Sequence, residues 1–136
     1  MSSSSRDAIV NTLNRYTLGM DDNDWSLVAE CFTADAMLSM RVADGELIGP
    51  FEGRDAILAM MREASWSQED QRRHVTSNFI IEEYGTKATN VAYLTLFSAC
   101  NGTLTSLSTG KYQDELVHTN AGWKLAKRHI ALDLPY

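Results

Sequence analysis

From Gln71 onward the chain reads as four long segments of alternating β-branched, aromatic and polar residues, separated only by short turn signals. The segments are 72–84, 87–100, 103–118 and 123–132. Their connectors, Gly85-Thr86, Asn101-Gly102 and Asn120-Ala121-Gly122, are each short enough for a hairpin. Consecutive hairpins make an antiparallel meander. The segments exceed the usual strand length of about 5–6 residues, which favours a strongly bent sheet with bulges over a flat one.

The first seventy residues have a different grain. Ile9, Leu13, Tyr16 and Met20 recur at helical spacing, which predicts a helix over 5–20 with Gly19 at its exit. After DDND, Asp22 or Asn23 can cap a short second helix whose Trp25, Val28, Ala29 and Phe32 pack inward. A strand over 36–40 follows, then a turn at Ala43-Asp44-Gly45, an extended piece around Leu47 and a break at Gly49-Pro50. A third helix over 54–65 carries Ile57, Leu58, Met60 and Met61. Helices followed by a meander specify an α+β fold: a cone-shaped, curved antiparallel sheet packed against three N-terminal helices and enclosing a pocket. The expected organisation is one domain over 6–136 behind a disordered polar tail over 1–5.

Composition limits the function. The net charge of −6 opposes binding to a phosphate backbone, so no nucleic-acid partner is expected. No apolar run approaches the ~20 residues of a membrane span, so no membrane role is expected either. Cys31 and Cys100 lack CxxC spacing, and the polar opening does not resemble a secretory signal, so reduced thiols in a cytoplasmic protein are the default expectation. The three histidines are too scattered for a zinc site, and DDND lacks the glycine and distal glutamate of a calcium loop. No metal and no cofactor are expected.

The segment RRHVTSNFIIEEY carries the chemistry. Strand alternation puts His74, Thr76, Asn78 and Ile80 on one face, a mixture of polar and aliphatic groups that suits a cavity wall better than a solvated surface or a dry core. An imidazole there can accept and return a proton near neutral pH. Met20, Met37, Met40, Met60 and Met61 read as core or pocket residues whose flexible thioethers suit an apolar, cyclic or aromatic ligand.

The order of elements, with RYTLGMDDNDWSLVAECFTADA, FEGRDAI, RHVTSN, GKYQDEL and GWKLAKRHIALD, resembles the SnoaL-like branch of the nuclear transport factor 2 superfamily over nearly the whole chain. That superfamily hosts dehydratases, isomerases, cyclases and non-catalytic adaptors, so the fold does not choose among them. Scytalone dehydratase and the bile-acid dehydratases are similar in having an aspartate where the first helix ends and a histidine early in the first long strand. Here these are Asp21 and His74. The bile-acid enzymes also have a tyrosine five residues before the aspartate, where Tyr16 stands. Five residues turn an ideal helix by about 140°, so convergence of Tyr16 and Asp21 requires the helix to open near Gly19.

The resemblance implies a cofactor-independent lyase or isomerase, foremost a dehydratase, in which Asp21 orients His74 and Tyr16 holds a carbonyl oxygen. The alternatives are a polyketide or terpenoid cyclase of the same fold and a non-catalytic binding domain. Asn78, Tyr112, Met40, Trp25 and Asp114 are the candidate substrate contacts. Tyr16 reads equally as a core tyrosine, and Tyr112 and Asp114 either line the pocket or pair with neighbours such as Lys111 or Arg128. Asp21 is available for His74 because Asp22 and Asn23 are better placed to cap the second helix. His118 reads as a surface residue, and the roles of Arg128 and His129 stay open. Large outward groups on the long strands, Val91, Tyr93, Phe97 and Val117, predict a homodimer or homotrimer.

Overall fold

The computed structural model describes residues 3–136. Its elements are α1 (Ser3–Asp22), α2 (Trp25–Glu30), β1 (Phe32–Val42), β2 (Ile48–Glu52), α3 (Arg54–Ser65), β3 (Gln71–Tyr84), β4 (Lys87–Cys100), β5 (Thr103–Thr119) and β6 (Gly122–Leu132). One six-stranded sheet runs in the order β2-β1-β6-β5-β4-β3. The meander over β3–β6 is antiparallel throughout, as the alternation predicts. β1, however, lies parallel to β6, so the sheet as a whole is mixed. The helical stretch between β2 and β3 carries the chain across, and β1 closes the free edge of the last hairpin.

Several boundaries differ from expectation. Residues 3–5, read as tail, belong to α1, while Met1 and Ser2 lie outside the described residues. β1 runs from Phe32 rather than Ala36, and Gly49-Pro50 falls inside β2 instead of ending it. A proline is tolerated there because β2 is an edge strand.

The exit of α1 is set by Asn23. Its φ of 54° puts it in the left-handed region, while Asp24 N–H donates to Gly19 O at 2.8 Å and Asn23 N–H to Met20 O at 3.4 Å, the paired bonds of a Schellman cap. With Asn23 so used, Asp24 and not Asp22 or Asn23 caps α2, accepting from Leu27 N–H at 3.2 Å. Gly19 does not open the helix. It brings α2 close, since a Cβ at this position would sit 2.7 Å from Val28 Cγ2. Gly→Ala within a helix ordinarily stabilises by roughly 1 kcal/mol. At Gly19 the sign should reverse, with Gly19→Ala lowering the denaturant midpoint.

β3 bends at Asn78. Ser77 pairs with Tyr93 and Ile80 with Val91, so the strand holds one residue more than its partner, and Asn78 takes up the bulge at φ 59°. Beyond it the faces exchange. Ile80 is 63% exposed, whereas Ile81 is buried. The inner face of the sheet, with Ala88, Leu94, Tyr112, Leu116, Leu125 and Ile130, packs against Ile9, Leu13 and Tyr16 of α1, Val28 of α2, and Ile57 and Met61 of α3. No helix among the described residues is long and apolar enough to cross a membrane.

Candidate functional site

Asp21, in the last turn of α1, meets His74, near the start of β3. Its Oδ1 lies 2.6 Å from His74 Nδ1, and both carboxylate oxygens accept the His74 backbone N–H, at 3.1 and 3.2 Å. The ion-pair partners are largely buried, with side-chain exposures of 11% for His74 and 7% for Asp21. A carboxylate held by the backbone of the residue it serves cannot drift from the ring. It assigns the proton to Nδ1 and leaves Nε2 as the basic nitrogen.

His74 forms part of the wall of a cavity of about 70 Å³ between sheet and helices. The interior is lined by Met20, Met40, Met60, Met61, Leu94 and Ile130, with the rings of Tyr16 and Tyr112. Arg72, Gln68 and Tyr136 supply most of its remaining polar groups. This volume lies below the ~300–1,000 Å³ common for ligand sites, and the four methionines are the side chains best able to widen it. A more open groove of about 590 Å³ lies between the start of α1 and the β5–β6 hairpin, lined by Asn11, Arg15, His118 and Lys124. It contains no buried acid/base pair, so the smaller cavity is the better candidate for chemistry.

Tyr16 is 2% exposed and reaches the same cavity. It does so without the helix opening. Tyr16 faces the interior while Asp21, rotated away from it, reaches β3 behind His74, so the two side chains act on the imidazole's surroundings from different sides. Burial pushes the Tyr16 phenol up to about 12, against a smaller opposing pull from Arg128. Burial also raises Tyr112 well above the ordinary phenol value. Both therefore stay neutral O–H donors at physiological pH. Because each holds its proton more tightly folded than unfolded, their contribution to stability is complete below pH 10 and is lost as pH rises above it. Each should remove about 1.4 kcal/mol per pH unit between its unfolded and folded values. Denaturant midpoints measured from pH 9 to 12 should fall accordingly, and Tyr16→Phe should flatten the decline.

Beneath the two tyrosines is a charge cluster. Arg128, 1% exposed, donates from Nε to Asp114 Oδ1 at 2.7 Å and from Nη2 to Oδ2 at 2.9 Å, and Asn90 Nδ2 donates to the same Oδ2 at 2.9 Å. The guanidinium carbon lies 3.7 Å from the Tyr112 ring centroid and 4.4 Å from that of Tyr16. Burial acts to lower the Arg128 pKa, but Asp114 more than offsets it and holds the charge.

Of the candidates from sequence, His74, Tyr16, Tyr112 and Met40 stand on the cavity wall, with Asp21 directly behind His74. Three do not. Asn78 is exposed at the β3 bulge, where its left-handed backbone turns it off the His74 face. Trp25 packs on the core from α2, and Asp114 is consumed by Arg128 and Asn90. Nothing local in the sequence distinguishes Arg128. Its signal is the cross-strand register that sets Asp114 opposite Arg128. Of the other two histidines, the His118 ring meets that of Trp123 at a tilt and His129 Nδ1 lies 2.7 Å from Ser39 Oγ, both away from the cavity. Among the described residues no cluster of His, Cys, Asp and Glu could hold a metal ion.

A family model described as a SnoaL-like domain matches residues 1–129. Among solved structures, a protein of unknown function from Mycobacterium tuberculosis is similar at 27% identity and a TM-score of 0.78, over 93% of this chain and 70% of that one. A Novosphingobium aromaticivorans protein provisionally named a scytalone dehydratase is similar at 21% identity and a TM-score of 0.77, over 95% and 84% of the two chains. The β subunit of a provisionally named aromatic-ring-hydroxylating dioxygenase from the same organism is similar at 20% identity and a TM-score of 0.78, over 96% and 90%. The last two likenesses show the fold alone. No curated protein matches the sequence.

Proposed function

Since the chain belongs to the SnoaL-like domain family, whose shared fold encloses a pocket without prescribing its use, we propose that this protein is a cofactor-independent lyase that removes water from a small cyclic hydroxy-ketone. The observation that carries this reading is the 2.6 Å contact between Asp21 and His74 on the wall of an apolar cavity that also holds the Tyr16 ring. In the reaction, His74 Nε2 takes the proton from the carbon next to the carbonyl. Tyr16 O–H donates to the carbonyl oxygen as its charge grows. The bond from the neighbouring carbon to its hydroxyl then breaks, the departing oxygen takes the proton back from His74, and water and a conjugated ketone leave. The imidazole returns to its neutral form, so no oxidant, reductant or metal enters the balance.

The cavity volume favours a single ring over the fused polycycle that the methionine-rich lining alone suggests. Incubation with β-hydroxy cyclic ketones, followed by the absorbance of the conjugated product and by deuterium uptake from D₂O, tests the proposal. Wild type should produce both signals and His74→Ala neither. Equal signals from the two would refute it.

A homo-oligomer belongs to the same proposal. Val75, Ile80, Tyr93 and Leu104 are exposed by 46% or more on the outer face of β3, β4 and β5, too much apolar area for a freely solvated sheet. Closed pairing of that face is expected, as a dimer or a trimer. Sedimentation should give a multiple of the chain mass, with Ile80→Glu shifting it to the single-chain value. A wild-type protein that sediments as a single chain at micromolar concentration would contradict this.

A further inference from the structure

Arg72 stands two residues before His74 on the same side of β3, which sets their Cα atoms roughly 6.6 Å apart along the strand. Both side chains line the cavity. Arg72 is held on one side only. Its Nε donates to Asp70 Oδ2 at 2.8 Å, and Asp70 also accepts the hydroxyl of Ser98. The Ser98 hydrogen bond, more than Arg72 itself, keeps the Asp70 carboxyl below its ordinary value and so ionised as a fixed counter-charge. The Tyr136 ring lies 5.1 Å from the guanidinium carbon and shares the cavity wall with it. Nη1 is left buried without a hydrogen-bond partner. Buried donors are almost always satisfied, and this one is on a wall lined mainly by methionine, leucine, isoleucine and tyrosine, to which Ser65, Gln68 and His74 add the other polar side chains.

We propose that Arg72 is a specificity-determining residue whose Nη1 donates to a second oxygen of the substrate, remote from the reacting carbonyl. The inference rests on the cavity being the substrate site. It narrows the substrate to a ring with two oxygen functions, the reacting one against Tyr16 and a second at Arg72. That second oxygen is neutral, a carbonyl or ether. The charges beside it are the Arg72 cation and the carboxylates of Asp70 and Asp21, so a ligand carboxylate would add a third negative charge against a single cation.

Three para-substituted probes, diacetylbenzene, ethylacetophenone and acetylbenzoate, separate the possibilities by calorimetry. Wild type should bind diacetylbenzene about 10-fold more tightly than ethylacetophenone, the margin of one charge-assisted hydrogen bond. Acetylbenzoate should bind more weakly than diacetylbenzene. In Arg72→Met the preference should shrink to under about 2-fold with ethylacetophenone affinity unchanged, because only the donor has gone. Arg72→Lys, which keeps the charge opposite Asp70 but loses the planar fork, should lose the preference too. His74→Ala should retain it, so a failure of the proton-transfer reading leaves this result standing and the two fail separately. A preference that survives in Arg72→Met would overturn the assignment. So would equal weakening of all three probes in that variant, tightest binding of acetylbenzoate, or no binding of any probe to wild type.

Discussion

Replacing His74 by alanine should lower turnover by about 10²- to 10⁴-fold, the range typical of a positioned general acid/base, while the far-ultraviolet spectrum and melting temperature stay close to wild type. Folding should survive because the His74 backbone N–H bond to Asp21 does not depend on the ring. Asp21→Asn makes the complementary test. An amide can still face the ring but no longer carries the charge that fixes the proton on Nδ1 and stabilises the imidazolium, so the rate should fall with binding little changed. A His74→Ala variant that turns over near the wild-type rate would remove the base from the account.

The second large effect concerns stability. Asp114→Ala should cost about 3–5 kcal/mol, because it leaves the Arg128 cation buried and unpaired beneath two aromatic rings. That is a large part of the ~5–15 kcal/mol by which domains of this kind are stable, so partial unfolding at room temperature is expected. Replacing both members, Asp114→Leu with Arg128→Met, removes the charge together with its counter-ion and should recover most of the loss. Urea unfolding of the single and double variants reads the difference. If the double variant is as unstable as the single one, the cluster matters by packing the tyrosines and not by charge.

What could be read from the sequence follows from where the information is local. The strands of the meander are legible because alternation and turn residues are short-range signals, and the predicted ends of 72–84, 87–100 and 103–118 lie within a residue of the observed ones. The parallel pairing of β1 with β6 is not, because it joins residues some ninety positions apart, such as Ser39 and His129, with no turn between them. Asn78 shows the same limit at one residue. Alternation alone puts it beside His74, but a single left-handed residue turns it outward and exchanges every face beyond it.

At the site, His74 is legible from the strand pattern, Asp21 and Tyr16 only through the family resemblance, and an ideal helix sets Tyr16 and Asp21 about 140° apart. The conflict dissolves because the two need not face the same way: one lines the cavity and the other grips the histidine from behind. Arg128 and Arg72 were beyond sequence reading for a shared reason. An arginine's default is solvent, and only the fold shows that these two are exceptions: the strand register sets Asp114 opposite Arg128, while Arg72 is held by Asp70, two residues before it, which Ser98 fixes in turn.

The claim on which the function depends is that Asp21 holds the His74 proton on Nδ1 and leaves Nε2 as the free base. Nitrogen-15 spectroscopy of the His74 ring reads this without a substrate. In wild type at a pH where the ring is neutral, Nδ1 should carry the proton, with a downfield proton resonance that Asp21→Asn shifts upfield, and Nε2 should show the chemical shift of an unprotonated nitrogen. A neutral ring protonated on Nε2, or a spectrum unchanged by Asp21→Asn, would contradict the account.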